Sequence, residues 1–103
     1  MFIVVYCTVP KQDANVLAHQ LIVNRLAACV NIVEEVDSLF FWDGNVQEEK
    51  ESLLIIKTKQ SVFEKLEKFI TKNHPYDVPE IIAMPIVNAN LEYLNWLDDM
   101  VKE

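Results

Sequence analysis

Glycine is almost absent from this chain: Gly44 is the only one in 103 residues. That excludes a glycine-rich phosphate cradle. Cysteine is scarce as well. Cys7 and Cys29 are the only two, they form no Cys-x-x-Cys pair, and neither a disulfide framework nor a zinc ribbon follows from them. Basic residues are outnumbered, 9 Lys and Arg against 16 Asp and Glu, for a net charge of -7. Phosphate backbones are bound by clustered Lys and Arg, so nucleic acid is not an expected partner. No apolar run approaches the roughly 20 residues of a membrane span, so no membrane partner is expected. The opening Phe2-Ile3-Val4-Val5-Tyr6 lacks a basic flank and a small-residue cleavage site, so it reads as a strand rather than a signal peptide. The expected compartment is the cytoplasm, with both thiols reduced. A Gly-x-Ser-x-Gly elbow and a His-Glu-x-x-His pair are also missing, and no enzymatic activity is expected.

What is present is apolar. Hydrophobic residues make up 51% of the chain, enough for the core of one domain over residues 1–103. Phe2 to Val9 is a nearly continuous β-branched and aromatic run stopped by Pro10, which suits a strand buried on both faces. Ala14, Leu17, Ala18, Leu21 and Ile22 then recur at the spacing of an amphipathic helix. From Cys29 to Trp42 the pattern predicts a long, bent strand. Gly44 supplies a turn needing positive φ, and a second long strand over Val46 to Thr58 completes a hairpin. Ser61-Val62-Phe63-Glu64 has the spacing of a capping box, so a helix should start there and stop at Pro75. Ile81 to Val87 reads as another strand, placed at an edge by Pro85. Asn90 should cap a last helix running to about Lys102.

This order, strand–helix–strand–strand–helix–strand, matches the α+β ferredoxin-like βαββαβ plan, with an additional C-terminal helix. Such a sheet carries its helices on one face and should alternate apolar with polar residues if water covers the other. Ile3-Val4-Val5, Leu53-Leu54-Ile55-Ile56 and Ile81-Ile82-Ala83-Met84 do not alternate. The last helix has two neighbouring stripes, Leu91, Leu94, Leu97 and Val101 beside Tyr93, Trp96 and Met100. Both features predict an oligomer.

Five segments in order resemble the CutA family of divalent-cation tolerance proteins across essentially the whole chain. They are residues 25–32 (Arg-Leu-Ala-Ala-Cys-Val-Asn-Ile), Trp42-Asp43-Gly44, Ile56-Lys57-Thr58, residues 74–81 (His-Pro-Tyr-Asp-Val-Pro-Glu-Ile) and Tyr93-Leu94-Asn95-Trp96-Leu97. The resemblance implies a tight homotrimer, similar in plan to the PII signalling proteins, with sheets inward and helices outward. It also implies a role in divalent-metal, chiefly copper, tolerance, with no cofactor required. Cu(II) or another divalent cation is the implied ligand.

Cys7 and His74 are the metal candidates, because a thiolate and an imidazole suit copper or zinc better than magnesium or calcium. Asn73 stands where some CutA proteins carry a further histidine, which removes one soft ligand. The alternatives are a buried hydrophobe at Cys7 and a helix-end contact with carbonyls at His74. The two prolines of residues 74–81 make either a rigid link or a cleft wall presenting Tyr76, Asp77 and Glu80. Lys57, at a strand end, would bind an anion or form a plain salt bridge. Trp42, Tyr93 and Trp96 are read as trimer-packing aromatics. Cys29 is read as core, His19 as solvated, and Glu48, Glu49 and Glu51 as a solvated face. A small-molecule sensor or interaction scaffold, with a ligand cleft between subunits, is the alternative function.

Overall fold

The computed structural model describes all 103 residues. Phe2–Val9 forms β1, Lys11–Val23 α1, Cys29–Trp42 β2, Asn45–Lys59 β3, Phe63–Asn73 α2, Ile82–Pro85 β4 and Leu91–Met100 α3. The four strands make one antiparallel sheet in the order β2-β3-β1-β4, which is the ferredoxin-like arrangement. Pro85 lies in β4, at an edge, where its missing N–H interrupts no inner ladder.

Side chains of β1 alternate strictly between half-buried and buried. Burial on both faces therefore does not occur within one chain, because helices cover only one of them. On the covered face Ile3, Val5, Cys7 and Val9 meet Leu54 and Ile56 of β3 beneath Leu17 and Leu21 of α1 and Leu66 and Ile70 of α2. A smaller cluster, Ala28, Val62, Leu97 and Val101, seats α3 with Phe2, Tyr93 and Met100 packed on it. The Lys102 N–H donates to the Arg25 carbonyl at 3.0 Å, and Lys59 pairs with Asp98 at 2.9 Å and Glu103 at 3.2 Å. These bonds tie the C-terminal segment to the turn after α1 and to the end of β3.

The β2–β3 hairpin is long, and a register shift between Val33 and Val36 bends it. Asp43 and Gly44 make its turn at φ 52° and 76°, so the single glycine sits where the left-handed backbone needs it. The principal extents, 46 × 25 × 22 Å, show how elongated the chain is. Leu39, Phe41, Trp42 and Val46 near the hairpin end are each at least 63% exposed.

Two caps differ from expectation. Gln60–Val62 forms a 3-10 turn, α2 begins at Phe63, and the position before it, Val62, carries no side-chain cap. Ser61 is drawn instead to Glu103, which Lys59 and then Ser61 hold below the usual carboxylate range. Asn90 occupies the cap position of α3 in extended conformation but makes no side-chain bond.

Candidate functional site

Two polar groupings interrupt this apolar framework. The first stands where α2 ends beside the end of β1. Pro75 forces His74 out of the helix into extended backbone, at φ -94° and ψ 140°. The imidazole is thereby brought to β1: Nε2 lies 2.8 Å from the Thr8 carbonyl, while Nδ1 accepts the Tyr76 N–H at 3.1 Å. Acceptance at Nδ1 requires the proton on Nε2, which donates to Thr8, so both ring nitrogens are engaged. The Tyr76 ring tilts against His74 with centroids 4.8 Å apart, and its hydroxyl donates to Glu51 Oε2 at 2.8 Å. Burial, followed by that carboxylate, pushes the Tyr76 phenol up to about 12.

Cys7 faces the helices and is fully buried. Burial first, then the charges of Glu80 and Glu51, push its thiol up to about 12, so at neutral pH it is protonated. To bind a soft metal, a cysteine must be a thiolate and a histidine must offer a free ring nitrogen. Cys7 offers no thiolate and His74 no unengaged nitrogen, and no three His, Cys, Asp or Glu side chains converge as a ligand set. The residues of the single chain therefore do not fit a preformed metal centre.

Glu51 was expected on a solvated face, yet only 5% of it is exposed. The correction is local: Glu48 and Glu49 lie on the projecting hairpin, while Glu51 sits where β3 enters the body and Tyr76 covers it. Of the proposed cleft wall, Tyr76 is thus committed to an internal bond. Glu80 is exposed and reaches Cys7 through its charge, and Asp77 is exposed and engaged in no side-chain bond.

The second grouping lies on the sheet face without α1 and α2. One row across the sheet reads Met84, Val4, Lys57, Cys29, and the next reads Ile82, Tyr6, Ile55, Asn31. Lys57 is the only charged residue among these eight. Its Nζ donates to Asn31 Oδ1 and lies 3.8 Å from Cys29 Sγ, and it forms no salt bridge with any carboxylate. Cys29 Sγ is 3.8 Å from the same Asn31 oxygen. Cys29 is therefore no core residue, because its strand position points it away from the helices. Tyr93 of α3 neighbours Cys29, and burial and then that thiol raise its phenol above the usual range. Tyr93 stacks on Trp96 with centroids 5.5 Å apart, and Trp96 is 42% exposed. Asn31 was not singled out in the sequence; only the β2–β3 register places it beside Lys57.

The fold and these groupings define a ferredoxin-like α+β chain with a projecting hairpin, a docked C-terminal helix and one sheet face free of helices. Residues 3–100 match the family described as CutA1 divalent ion tolerance protein, and the chain belongs to that family. It is 50% identical over 102 residues to Protein CutA 1, chloroplastic, of Oryza sativa, covering 98% of this chain but 58% of that protein. It is 48% identical over 95 residues to the Divalent-cation tolerance protein CutA of Thermus thermophilus, covering 91% and 92% respectively. The crystal structure of CutA1 from Oryza sativa superposes with a TM-score of 0.97 at 50% identity, over 99% of this chain and 94% of that one.

Proposed function

We propose that the chain serves divalent-cation tolerance as a cytoplasmic homotrimer in which the helix-free sheet faces turn inward and cover one another. The observation that carries this is the half-exposed apolar face of Val4, Tyr6, Leu53 and Ile55, continued on the same side of the hairpin by Phe40 and Trp42, which are 43% and 65% exposed. Exposed apolar area of this extent, with aromatics at its end, is the character of a subunit interface. Trp42 and Trp96 belong to the same proposed packing, and the role is non-catalytic. The two free cysteines accord with a reducing compartment.

In its sharper form the proposal has Cu(II) or another divalent cation held at Cys7 and His74. Uptake there requires loss of the Cys7 proton and release of one His74 hydrogen bond, so it is expected to be weak at neutral pH and to strengthen as pH rises. Native mass spectrometry of the purified protein, with and without equimolar Cu(II), tests both levels. A trimer is expected, and copper uptake that falls in Cys7→Ser and His74→Ala. A monomer at micromolar concentration rejects the assembly, and equal uptake in all three proteins rejects the metal site.

A further inference from the structure

We infer that Lys57, Asn31, Cys29 and Tyr93 form an oxyanion-binding site, taking a carboxylate or phosphate group at the helix-free face of the sheet. The inference rests on the trimer reading for the cover of that face.

The donors set the chemistry. Lys57 brings an ammonium with three protons, of which Asn31 Oδ1 accepts one. That amide oxygen also faces the Cys29 thiol, so the acceptor of Asn31 is used internally and its NH2 group is left as a donor. Tyr93 stands beside Cys29 and adds a polar neighbour rather than a free donor. What this cluster presents outward is donors with one positive charge.

The surroundings set the need. Lys57 stands in two rows otherwise made of Met84, Val4, Cys29, Ile82, Tyr6, Ile55 and Asn31, with no carboxylate paired to it. A half-buried ammonium in water is inexpensive, but covering the face removes that water. A charge taken out of water without a counter-charge opposes the covering of the face. Among the other basic residues Lys11, Lys50, Lys59 and Lys68 have carboxylate partners and Arg25 donates to the Met100 carbonyl, while Lys65, Lys72 and Lys102 have none but are exposed to water. In a chain of net charge -7 acidic groups are plentiful, so an unpaired cation on the face to be covered marks a place kept for an incoming anion. That anion is either a free small molecule or a carboxylate of a second copy of this chain.

The test combines native mass spectrometry, for assembly, with calorimetric titration of inorganic phosphate into the assembled protein. Lys57→Met removes the charge and keeps the aliphatic stem; Asn31→Ala removes the amide alone. If the anion is free, the wild-type trimer binds phosphate and Lys57→Met lowers its affinity at least tenfold with the trimer intact. If a second copy supplies the carboxylate, phosphate does not bind and Lys57→Met raises trimer dissociation at least tenfold. Either result upholds the site and assigns its source. A trimer whose phosphate affinity and dissociation are both indifferent to Lys57→Met overturns the site while leaving the trimer reading standing. A monomeric wild type that binds phosphate through Lys57 overturns the trimer reading alone. Should Lys57→Met lose the folded circular-dichroism spectrum, Lys57→Arg and Asn31→Ala decide: retained function in the first with at least a threefold loss in the second upholds the site, and no loss in Asn31→Ala overturns it.

Discussion

β1 and β3 show two faces of the same strands with nearly the same apolar composition and opposite fates. Toward α1 and α2, Ile3, Val5, Cys7, Val9, Leu54 and Ile56 are buried. On the other side Val4, Tyr6, Leu53 and Ile55 are only half-buried in the chain. Residue type does not separate the faces; the covering layer does. The first face supplies the energy that folds the chain, and the second leaves apolar area uncovered in the single chain. Each face also has its own polar exception. Near the helices Thr58 is satisfied by the Leu26 carbonyl, and Glu51, where β3 enters the body, is satisfied by Tyr76. On the free face Lys57 is only partly satisfied.

Ile55 and Ile56 put the comparison to the sharpest test, being adjacent and identical but pointing to opposite faces. Ile56→Ala leaves a cavity in the closed core and is expected to cost about 2–5 kcal/mol of stability in urea unfolding. Ile55→Ala should cost the single chain about 1 kcal/mol or less. Its larger effect should appear as weaker association in sedimentation at graded concentration. Equal unfolding losses for the two would break the distinction between the faces.

Tyr76→Phe tests the satisfied exception. It strips the only side-chain hydrogen bond from a carboxylate that is 5% exposed. A loss of about 1–3 kcal/mol is expected, the desolvation penalty of a buried acceptor left alone. Glu51→Gln in the Tyr76→Phe background should recover part of it, because the charge is then gone. If Tyr76→Phe costs nothing measurable, the Glu51–Tyr76 bond contributes no stability, and Glu51 is satisfied by water.

The order of the elements and the edge position of β4 were legible because hydrophobic period, the Asp43-Gly44 turn and Pro85 are local signals. The family resemblance was legible for the same reason, as short segments in a fixed order. The caps were not. Ser61-Val62-Phe63-Glu64 has the correct spacing, but Glu103, far along the chain, competes for Ser61 through the docking of the C-terminal segment. The burial of Glu51 escaped too, since two acidic neighbours on the exposed hairpin give it the look of a solvated run. Cys29 was misread because Ala27 and Ala28, which precede it, are core, and strand alternation places the next side chain on the opposite face. Asn31 shows the general limit: its meaning comes from a cross-strand register that no spacing along β2 reveals.

The last contrast is between the two thiols. Cys7 is sealed under the helices, whereas Cys29 lies on the free face. Burial pushes the Cys7 thiol from an ordinary 9.0 to about 12. The folded chain therefore keeps this proton over a range in which the unfolded chain has lost it. Stability linked to Cys7 is complete below pH 9 and declines as pH rises from about 9 toward 12. One pH unit above the unfolded value corresponds to about 1.4 kcal/mol, so that much should be lost by pH 10. Ionisable groups away from the two thiols are common to all variants and cancel when variants are compared, whereas Tyr93 responds to the loss of Cys29. Unfolding of wild type, Cys7→Ala and Cys29→Ala from pH 8 to 10 is the measurement. Cys7→Ala is expected to be less stable at pH 8, through its lost packing, yet to fall less steeply toward pH 10. A slope unchanged by Cys7→Ala, or flattened equally by Cys29→Ala, would mean that the helix-covered face does not isolate its thiol from water as its packing implies.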